Sequence, residues 1–265
     1  MQTGNSTNAF AEVARNKRRA AVVLGGCGLS LVVVGAVLGV VFGSVLAGAL
    51  AGFVLGLALV LVSYYRSDRI ALSLGHARPA DIRDYQRYHN LVEGLCIAAG
   101  LPKPGLYVID DPARNAFATG RDPKHATLAL TSGLLDDLNR IELEGVIACE
   151  LSQVKSYDVL VSTATLVPLL VLAPVAALFM QFSVHHDRDF LADASGVQLT
   201  RYPPGLCSAL KKLEADPASV RHASRATASM WIDSPFAGRN GGSWLGRAFD
   251  SHSSLQERIR ILEEM

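Results

Sequence analysis

Charge is scarce in this sequence, and over one long stretch it is absent. Only 18% of the 265 residues are charged, 50% are hydrophobic, and the formal net charge is +1. Such a chain is too apolar for an ordinary soluble domain, and its near-neutral balance gives no argument for a nucleic-acid partner. Cysteine is also scarce: four residues lie far apart without a CxxC pair. This argues against a disulfide framework or a cysteine zinc knuckle and favours a reducing compartment.

The uncharged stretch covers residues 20–65. One membrane span needs about 20 apolar residues, so the stretch is long enough for two, and it is too long for a cleaved secretory signal. Basic residues flank both of its ends: Arg15, Lys17, Arg18 and Arg19 precede it, and Arg66 and Arg69 follow it. Because positive flanks favour the cytoplasmic side, the sequence predicts a transmembrane hairpin with its tip near Gly43 and both ends in the cytoplasm.

Glycine recurs every four residues on both halves of this hairpin. The two series are Gly35, Gly39 and Gly43, and Gly48, Gly52 and Gly56. Small residues at this spacing form a smooth stripe on a helix, which lets two backbones approach closely in lipid. The lipid bilayer is therefore the first predicted partner. The stripes could pair within one chain or between chains, so a homo-oligomer held by these helices is also possible.

A second uncharged stretch covers residues 159–186, and its apolar part is 159–184. It is long enough for one membrane span. However, a continuous helix would separate Glu150 from Asp189 by about 58 Å at 1.5 Å per residue. If these two residues meet in one site, the chain must double back near Pro168, where proline interrupts the helix. We therefore favour a re-entrant helical hairpin over a third span.

Local patterns between the two apolar stretches predict a small sheet and a capped helix. Apolar runs at 106–109, 116–119 and 127–130 are typical of short strands. Asn139 can cap the helix that follows it, while Glu142 reaches back to complete a capping box.

That helix carries an incomplete metal-binding pattern. In zinc peptidases, a histidine–glutamate–two residues–histidine motif places two imidazoles on one helix face, and the glutamate acts as general base on the metal-bound water. Here Glu150 occupies the base position, while Cys149 and Gln153 occupy the histidine positions. A cysteine thiolate can bind zinc, but a neutral amide is a poor zinc ligand.

In combination, several segments resemble the HtpX family of integral-membrane zinc metallopeptidases, which are related to the CAAX prenyl proteases. The resemblance covers nearly everything after residue 20 and rests on segments 63–68, 101–104, 115–121, 131–135, 142–158, 188–196 and 251–262. The most specific is Asn-Ala-Phe-Ala-Thr-Gly, which begins at Asn115. The resemblance implies a bacterial plasma (inner) membrane protein whose main domain is cytoplasmic.

The predicted fold class is α+β. We expect a cytoplasmic tail at 1–19, a transmembrane hairpin at 20–65, and a gluzincin-like metallopeptidase domain at 66–265, mostly helical with a small sheet. Within that domain, 159–184 is a membrane-associated hairpin or span. The family has a longer segment here, usually two further spans, so its four-span topology is not expected in this chain.

The resemblance assigns metal-site roles to single residues. The two histidine ligands fall on Cys149 and Gln153, and the third ligand, a glutamate in the family, falls on Asp189. The general base falls on Glu150. Asp193 matches an aspartate that orients a ligand from outside the metal's coordination sphere.

Further roles concern catalysis and substrate. His252 and Arg258 match a histidine and an arginine that flank the site, and the histidine would stabilise the oxyanion. An edge strand accepts the substrate peptide as an additional strand. The residues that match this strand are Asn115, Ala116, Phe117, Ala118 and Thr119.

All three metal-ligand positions depart from the family pattern, which leaves four hypotheses. The leading one is a membrane-bound pseudopeptidase that needs no cofactor and binds peptide or membrane-protein clients. The alternative is an active zinc metalloendopeptidase with Cys149, Asp189 and His185 as ligands, since His185 lies four residues before Asp189. A third is a thiol enzyme with Cys149 as nucleophile and His252 as base. The fourth is a scaffold whose groove is unused.

Overall fold

The computed structural model describes residues 3–172, 187–236 and 253–265. The first two helices, α1 (Thr3–Val41) and α2 (Val45–Leu74), form the predicted hairpin. Gly43 turns the chain at the tip with φ +83°, a left-handed conformation that glycine adopts without steric penalty. Ser44 then caps α2 by accepting a hydrogen bond from the Ala47 N–H.

The two glycine stripes pair with each other inside this hairpin. A Cβ added to Gly35 would collide with the carbonyl oxygen of Gly48, and one added to Gly48 would collide with that of Gly35. Gly56 faces Gly28 in the same way. The stripes therefore serve contact within one chain. A homo-oligomer stays a prediction, and it would use other faces of the helices.

Both helices of the hairpin are long and apolar enough to cross a membrane. Their outward side chains are large and apolar; Phe42 at the tip, for example, is 83% exposed. The helix α1 does not begin at the apolar run but continues from Thr3 without a break. From Thr3 onwards, the predicted tail at 1–19 is thus a helical extension of the first span.

The small sheet has four strands, one more than the sequence pattern predicts. They are β1 (Arg78–Pro79), β2 (Gly105–Ile109), β3 (Ala116–Gly120) and β4 (Ala126–Thr131). The order across the sheet is β1-β2-β4-β3, with β2 and β4 parallel and the other pairs antiparallel. The strand β3 therefore lies at one edge of the sheet.

Helices make up most of the remaining domain, as predicted. They are α3 (Gln86–Ala99), α4 (Ser132–Asp137), α5 (Arg140–Lys155), α6 (Asp158–Val171), α7 (Asp187–Thr200), α8 (Pro203–Glu214) and α9 (Leu255–Glu263). Two short 3-10 turns, Pro123–His125 and Arg225–Met230, complete the described elements.

The helix α5 is the centre of the domain. The predicted capping box is confirmed, because the Asn139 side chain accepts from the N–H groups of Ile141 and Glu142, and the Glu142 side chain accepts from the Asn139 N–H. Every residue from 145 to 154 is buried, with α3, α7, α8 and β3 packed around it. A helix buried on all sides holds its side chains in fixed positions.

The helix α6 leaves α5 at an angle of 77° and runs beside the transmembrane hairpin. Its residues Leu160 and Ala164 pack against α1. After the following stretch, α7 begins beside the start of α6, where Arg188 Nε lies 3.5 Å from Asp158 Oδ2. Asp158 and Arg188, which flank the second apolar stretch, thus lie side by side, as the re-entrant interpretation requires.

Candidate functional site

The candidate site lies where α5 and α7 cross, beside the edge strand β3. The two helices approach closely because Gly196 on α7 has no side chain: a Cβ there would lie 2.8 Å from the backbone nitrogen of Cys149. This contact places Glu150 on α5 near Asp189 and Asp193 on α7. All three acidic residues are at most 3% exposed.

An ion pair between Asp193 on α7 and Arg258 on α9 lies at the candidate site. Arg258 donates from Nε to Asp193 Oδ2 and from Nη2 to Asp193 Oδ1, both at 2.7 Å, and from Nη1 to the Ile232 carbonyl oxygen at 2.7 Å. Burial opposes the arginine charge, but the Asp193 carboxylate outweighs it and raises the pKa of Arg258. The structure thus brings these two predicted residues together, 65 positions apart in sequence.

Cys149 is a buried hydrogen-bond donor in this arrangement. Its Sγ lies 3.2 Å from Asp193 Oδ1. Burial, and then the charge of Asp193, raise the pKa of the thiol well above its ordinary value. Only a thiolate is a good nucleophile, so this environment is unfavourable for a nucleophilic role of Cys149.

Asp189 has partners other than a metal. Its Oδ2 accepts from the backbone N–H of Ser253 at 2.8 Å, and its Oδ1 lies 3.6 Å from Arg188 Nε. The Arg188 side chain also donates to the Ser229 carbonyl oxygen at 2.7 Å and to Ser162 Oγ at 3.2 Å. The sequence interpretation missed Arg188, although it lies next to Asp189 in the chain, because an arginine is usually an exposed residue.

Glu150 is buried completely. Neither carboxylate oxygen has a hydrogen-bond partner among the described residues, although the N–H of Ala118 on β3 is near enough to favour the charged form. Burial raises the pKa of Glu150 to about 8, against the opposing effects of Arg258 and Arg188. The side chain is therefore mainly a neutral acid at neutral pH.

Gln153, the second of the two predicted histidine positions, faces a different space. Gln153 is 6% exposed and lines a cavity between α5 and the N-terminal part of α1. Across residues 3–172, 187–236 and 253–265, no group of three His, Cys, Asp or Glu side chains could hold a metal ion. A buried thiol, a carboxylate bonded to Arg188 and Ser253, and a neutral amide do not suit zinc in this arrangement. His185 and His252 lie outside the described residues.

The predicted substrate strand is covered by the chain itself. On its outer edge, the Ala116 carbonyl oxygen accepts from the Ile232 N–H at 2.8 Å, and the Gly120 N–H donates to Thr163 Oγ1 at 3.0 Å. The rings of Phe117 and Trp231 pack edge to face at 4.8 Å. Residues 116–120 are all buried as a result.

The other predicted strand residues contribute to the same closure. The Asn115 side-chain amide donates to the Asp233 carbonyl oxygen at 3.0 Å. Thr119 Oγ1 lies 2.9 Å from Thr163 Oγ1 on α6. A peptide could add along the whole edge only after residues 231–233 move away and Thr163 releases the Gly120 N–H.

Comparison with known proteins identifies the family. The model of Peptidase family M48 matches residues 82–265, which is more than half of the chain. The chain belongs to peptidase family M48. Its resemblance to the HtpX-like membrane metallopeptidases of this family is confirmed, and members of the family normally depend on zinc.

Curated relatives agree with this assignment. A protease HtpX homolog of Tropheryma whipplei is 40% identical over 239 residues, which covers 77% of this chain and 81% of that protein. One from Dictyoglomus turgidum is 37% identical, with 77% of each chain covered. One from Lactobacillus acidophilus is 34% identical and covers 97% of this chain and 99% of that protein. Together with the two apolar helices, these relatives support an integral membrane protein.

Proposed function

We propose that this M48 chain is a membrane-bound pseudopeptidase that binds peptide or membrane-protein clients without zinc-dependent hydrolysis. The main observation behind the proposal is that arginine side chains supply the positive charge beside the acidic residues of the site. Two buried guanidinium groups, Arg188 and Arg258, already balance Asp189 and Asp193. Zinc would bring two more positive charges close to these arginines, at positions without histidine ligands.

In a metal-free site, Glu150 would not act as a base. A general base must accept a proton, and it is useful only while it is charged. With a pKa of about 8, Glu150 already holds its proton at neutral pH. In addition, no metal would be present to lower the pKa of a water molecule to about 7 for attack. The proposed protein therefore retains the peptidase fold without its nucleophile.

Clients would bind by strand addition to β3, with the main domain on the cytoplasmic side of a bacterial inner membrane. To bind, a client would displace the segment around Ile232. This segment donates one backbone hydrogen bond to Ala116, and its Trp231 forms a β-bridge with Phe117. Asn115 also donates to the Asp233 carbonyl oxygen and Arg258 to the Ile232 carbonyl oxygen, so a client must replace these contacts with strand hydrogen bonds of its own.

Metal content tests the proposal directly. We expect protein purified in detergent, without a histidine tag, to contain far less than about one zinc per chain by mass spectrometry. The Cys149→Ala variant should give the same value as the wild type. Cys207→Ala, which removes another buried cysteine on α8, is the matched control.

The alternative function is an active zinc metalloendopeptidase with Cys149, Asp189 and His185 as ligands. Membership of a zinc-dependent family favours it. Its signature would be about one zinc per chain, retained in Cys207→Ala and lost in Cys149→Ala. That result would overturn the pseudopeptidase proposal.

Opening the edge of β3 tests the client-binding part of the proposal. Ile232→Pro removes the N–H that bonds to Ala116, whereas Ile232→Val keeps it. We expect the proline variant to bind a labelled peptide of alternating valine and serine about fivefold more tightly, since the peptide no longer competes with that hydrogen bond. Fluorescence anisotropy measures the affinity. Equal affinities for the proline and valine variants would show that β3 is not the binding edge.

A further inference from the structure

Two contacts with α2 fix the direction of β3 relative to the membrane. Arg121, which follows the strand, stacks its guanidinium on the ring of Tyr65 at 5.4 Å, and Tyr65 is the last residue of the uncharged run. Phe117 lies at the end of α2, where a Cβ added to Gly75 would lie 3.7 Å from its ring. Between these contacts α2 rises about 15 Å and β3 advances about 13 Å. The two elements therefore lie side by side and run in opposite directions.

Helix α6 gives the same direction for β3. Its residue Ala164 belongs to the same buried cluster as Ala20, the first residue of the uncharged run. The adjacent Thr163 accepts a hydrogen bond from the Gly120 N–H at 3.0 Å. The C-terminal end of β3 therefore lies at the membrane surface, and the end at Ala116 projects away from it.

Segment 231–233 shows which chain direction the outer edge of β3 accepts. Trp231 forms an antiparallel bridge with Phe117. The next residue, Ile232, donates to the Ala116 carbonyl oxygen at 2.8 Å, one position back along β3. The segment therefore runs against β3 and leads away from the membrane surface. The strand β4, on the other side of β3, is antiparallel to it as well.

We propose that the clients of β3 are segments that directly follow a transmembrane helix in their own chain, rather than segments that precede one. A client strand that takes the place of residues 231–233 and keeps their direction has its N-terminal end at the membrane surface. The membrane helix of the client then comes before the bound strand in sequence. This preference rests on the proposed binding of clients to β3, and it adds the class of client to that function.

The distance of each strand end from the membrane explains why the order matters. In a client whose strand follows its helix, the strand starts beside Gly120, and about three extended residues, roughly 10 Å, connect the two. The strand then binds as a tethered ligand, with an effective concentration in the millimolar range. In the reverse order, the strand ends beside Ala116, and the linker must first return about 13 Å to the surface. A three-residue linker is too short for that path.

Photo-crosslinking in nanodiscs of phosphatidylethanolamine and phosphatidylglycerol tests this client class. The full chain is reconstituted with a single-span model client that carries benzoylphenylalanine in a strand of alternating valine and serine. The strand either follows or precedes the same polyleucine helix through a three-residue linker, and in both clients it lies on the side of the peptidase domain. We expect the client whose strand follows the helix to give at least about tenfold more adduct on residues 115–120, because the other linker cannot span the path.

Two further measurements establish the direction of the bound strand. Lengthening the linker of the client whose strand precedes the helix to about 15 glycine and serine residues, about 20 Å on average, should bring its adduct to within about twofold of the other. In the client whose strand follows the helix, a photoreactive group at the first strand position should react with Thr119 or Gly120. At the last position it should react with Asn115 or Ala116.

Different outcomes would reject the client class and the proposed function. Equal adduct from the two short-linker clients would overturn the client class, and so would first-position adducts on Asn115, which mean a parallel strand. Absence of adducts on β3 from every client, in the wild type and in Ile232→Pro, would instead reject strand addition to β3 itself. Ile232→Val is the matched control, since it keeps the N–H that bonds to Ala116.

Discussion

Glu150→Gln should stabilise this protein at neutral and alkaline pH. The carboxyl group is completely buried, and burial raises its pKa from 4.5 to about 8. Glutamine has the shape of the protonated acid and cannot ionise. Each pKa unit corresponds to about 1.4 kcal/mol, so the variant should be more stable than the wild type by about 3 kcal/mol at pH 7 and about 4–5 kcal/mol above pH 8.

The pH dependence has a definite sign. Between pH 4.5 and about 8 the folded protein keeps the proton on Glu150 that the unfolded chain has released. Stability from this group is therefore complete below pH 4.5 and falls as the pH rises towards 8. Melting temperatures measured in detergent across this range should fall in the wild type and stay flatter in Glu150→Gln.

Glu142→Gln is a useful control because it lies on the same helix and should act in the opposite direction. Hydrogen bonds from Ser208 and Lys212 overcome the effect of burial and lower the pKa of Glu142. Replacing the charged Glu142 carboxylate with the neutral glutamine amide should therefore destabilise the protein at neutral pH. If Glu150→Gln also destabilised the protein at pH 8, Glu150 would be a charged group with a cationic partner, and the proposed metal-free site would be wrong.

Arg258→Met should be among the most destabilising single changes in the domain. The variant leaves the Asp193 carboxylate buried without its bidentate partner and the Ile232 carbonyl oxygen without a donor. Removing one member of a buried ion pair costs about 3–5 kcal/mol, because the remaining charge is uncompensated. Chemical or thermal unfolding in detergent measures this loss.

Arg260→Met is the matched control on the same helix. Arg260 is exposed and lies two residues from Arg258, so its replacement should change stability by less than about 0.5 kcal/mol. Adding Asp193→Asn to Arg258→Met should recover part of the loss, since the double variant no longer buries an unpaired charge. Equal stability of the two single methionine variants would show that the Arg258–Asp193 pair is not buried in solution.

Local patterns in the sequence determined the membrane hairpin, three of the strands and the cap of α5. An uncharged run of sufficient length must be placed in lipid whatever the rest of the chain does, and Asn139 bonds to residues only two and three positions away. The family, too, was recognisable from short segments such as the one at Asn115. Each of these signals depends on neighbours in sequence.

Only the tertiary structure decided the character of the site. The protonation of Glu150 depends on burial beneath β3, and the partners of Asp189 and Asp193 come from residues 64 and 65 positions away. The segment that covers β3 likewise bonds through Ile232 to Ala116, and the helices α4 to α8 lie between these two residues in the sequence. Burial and long-range pairing set the charge of a buried group, and neither leaves a local pattern in sequence. The same residue types suit a metal centre or an arginine-balanced site, and only the packing shows that Arg258 pairs with Asp193 and that Arg188 lies beside Asp189.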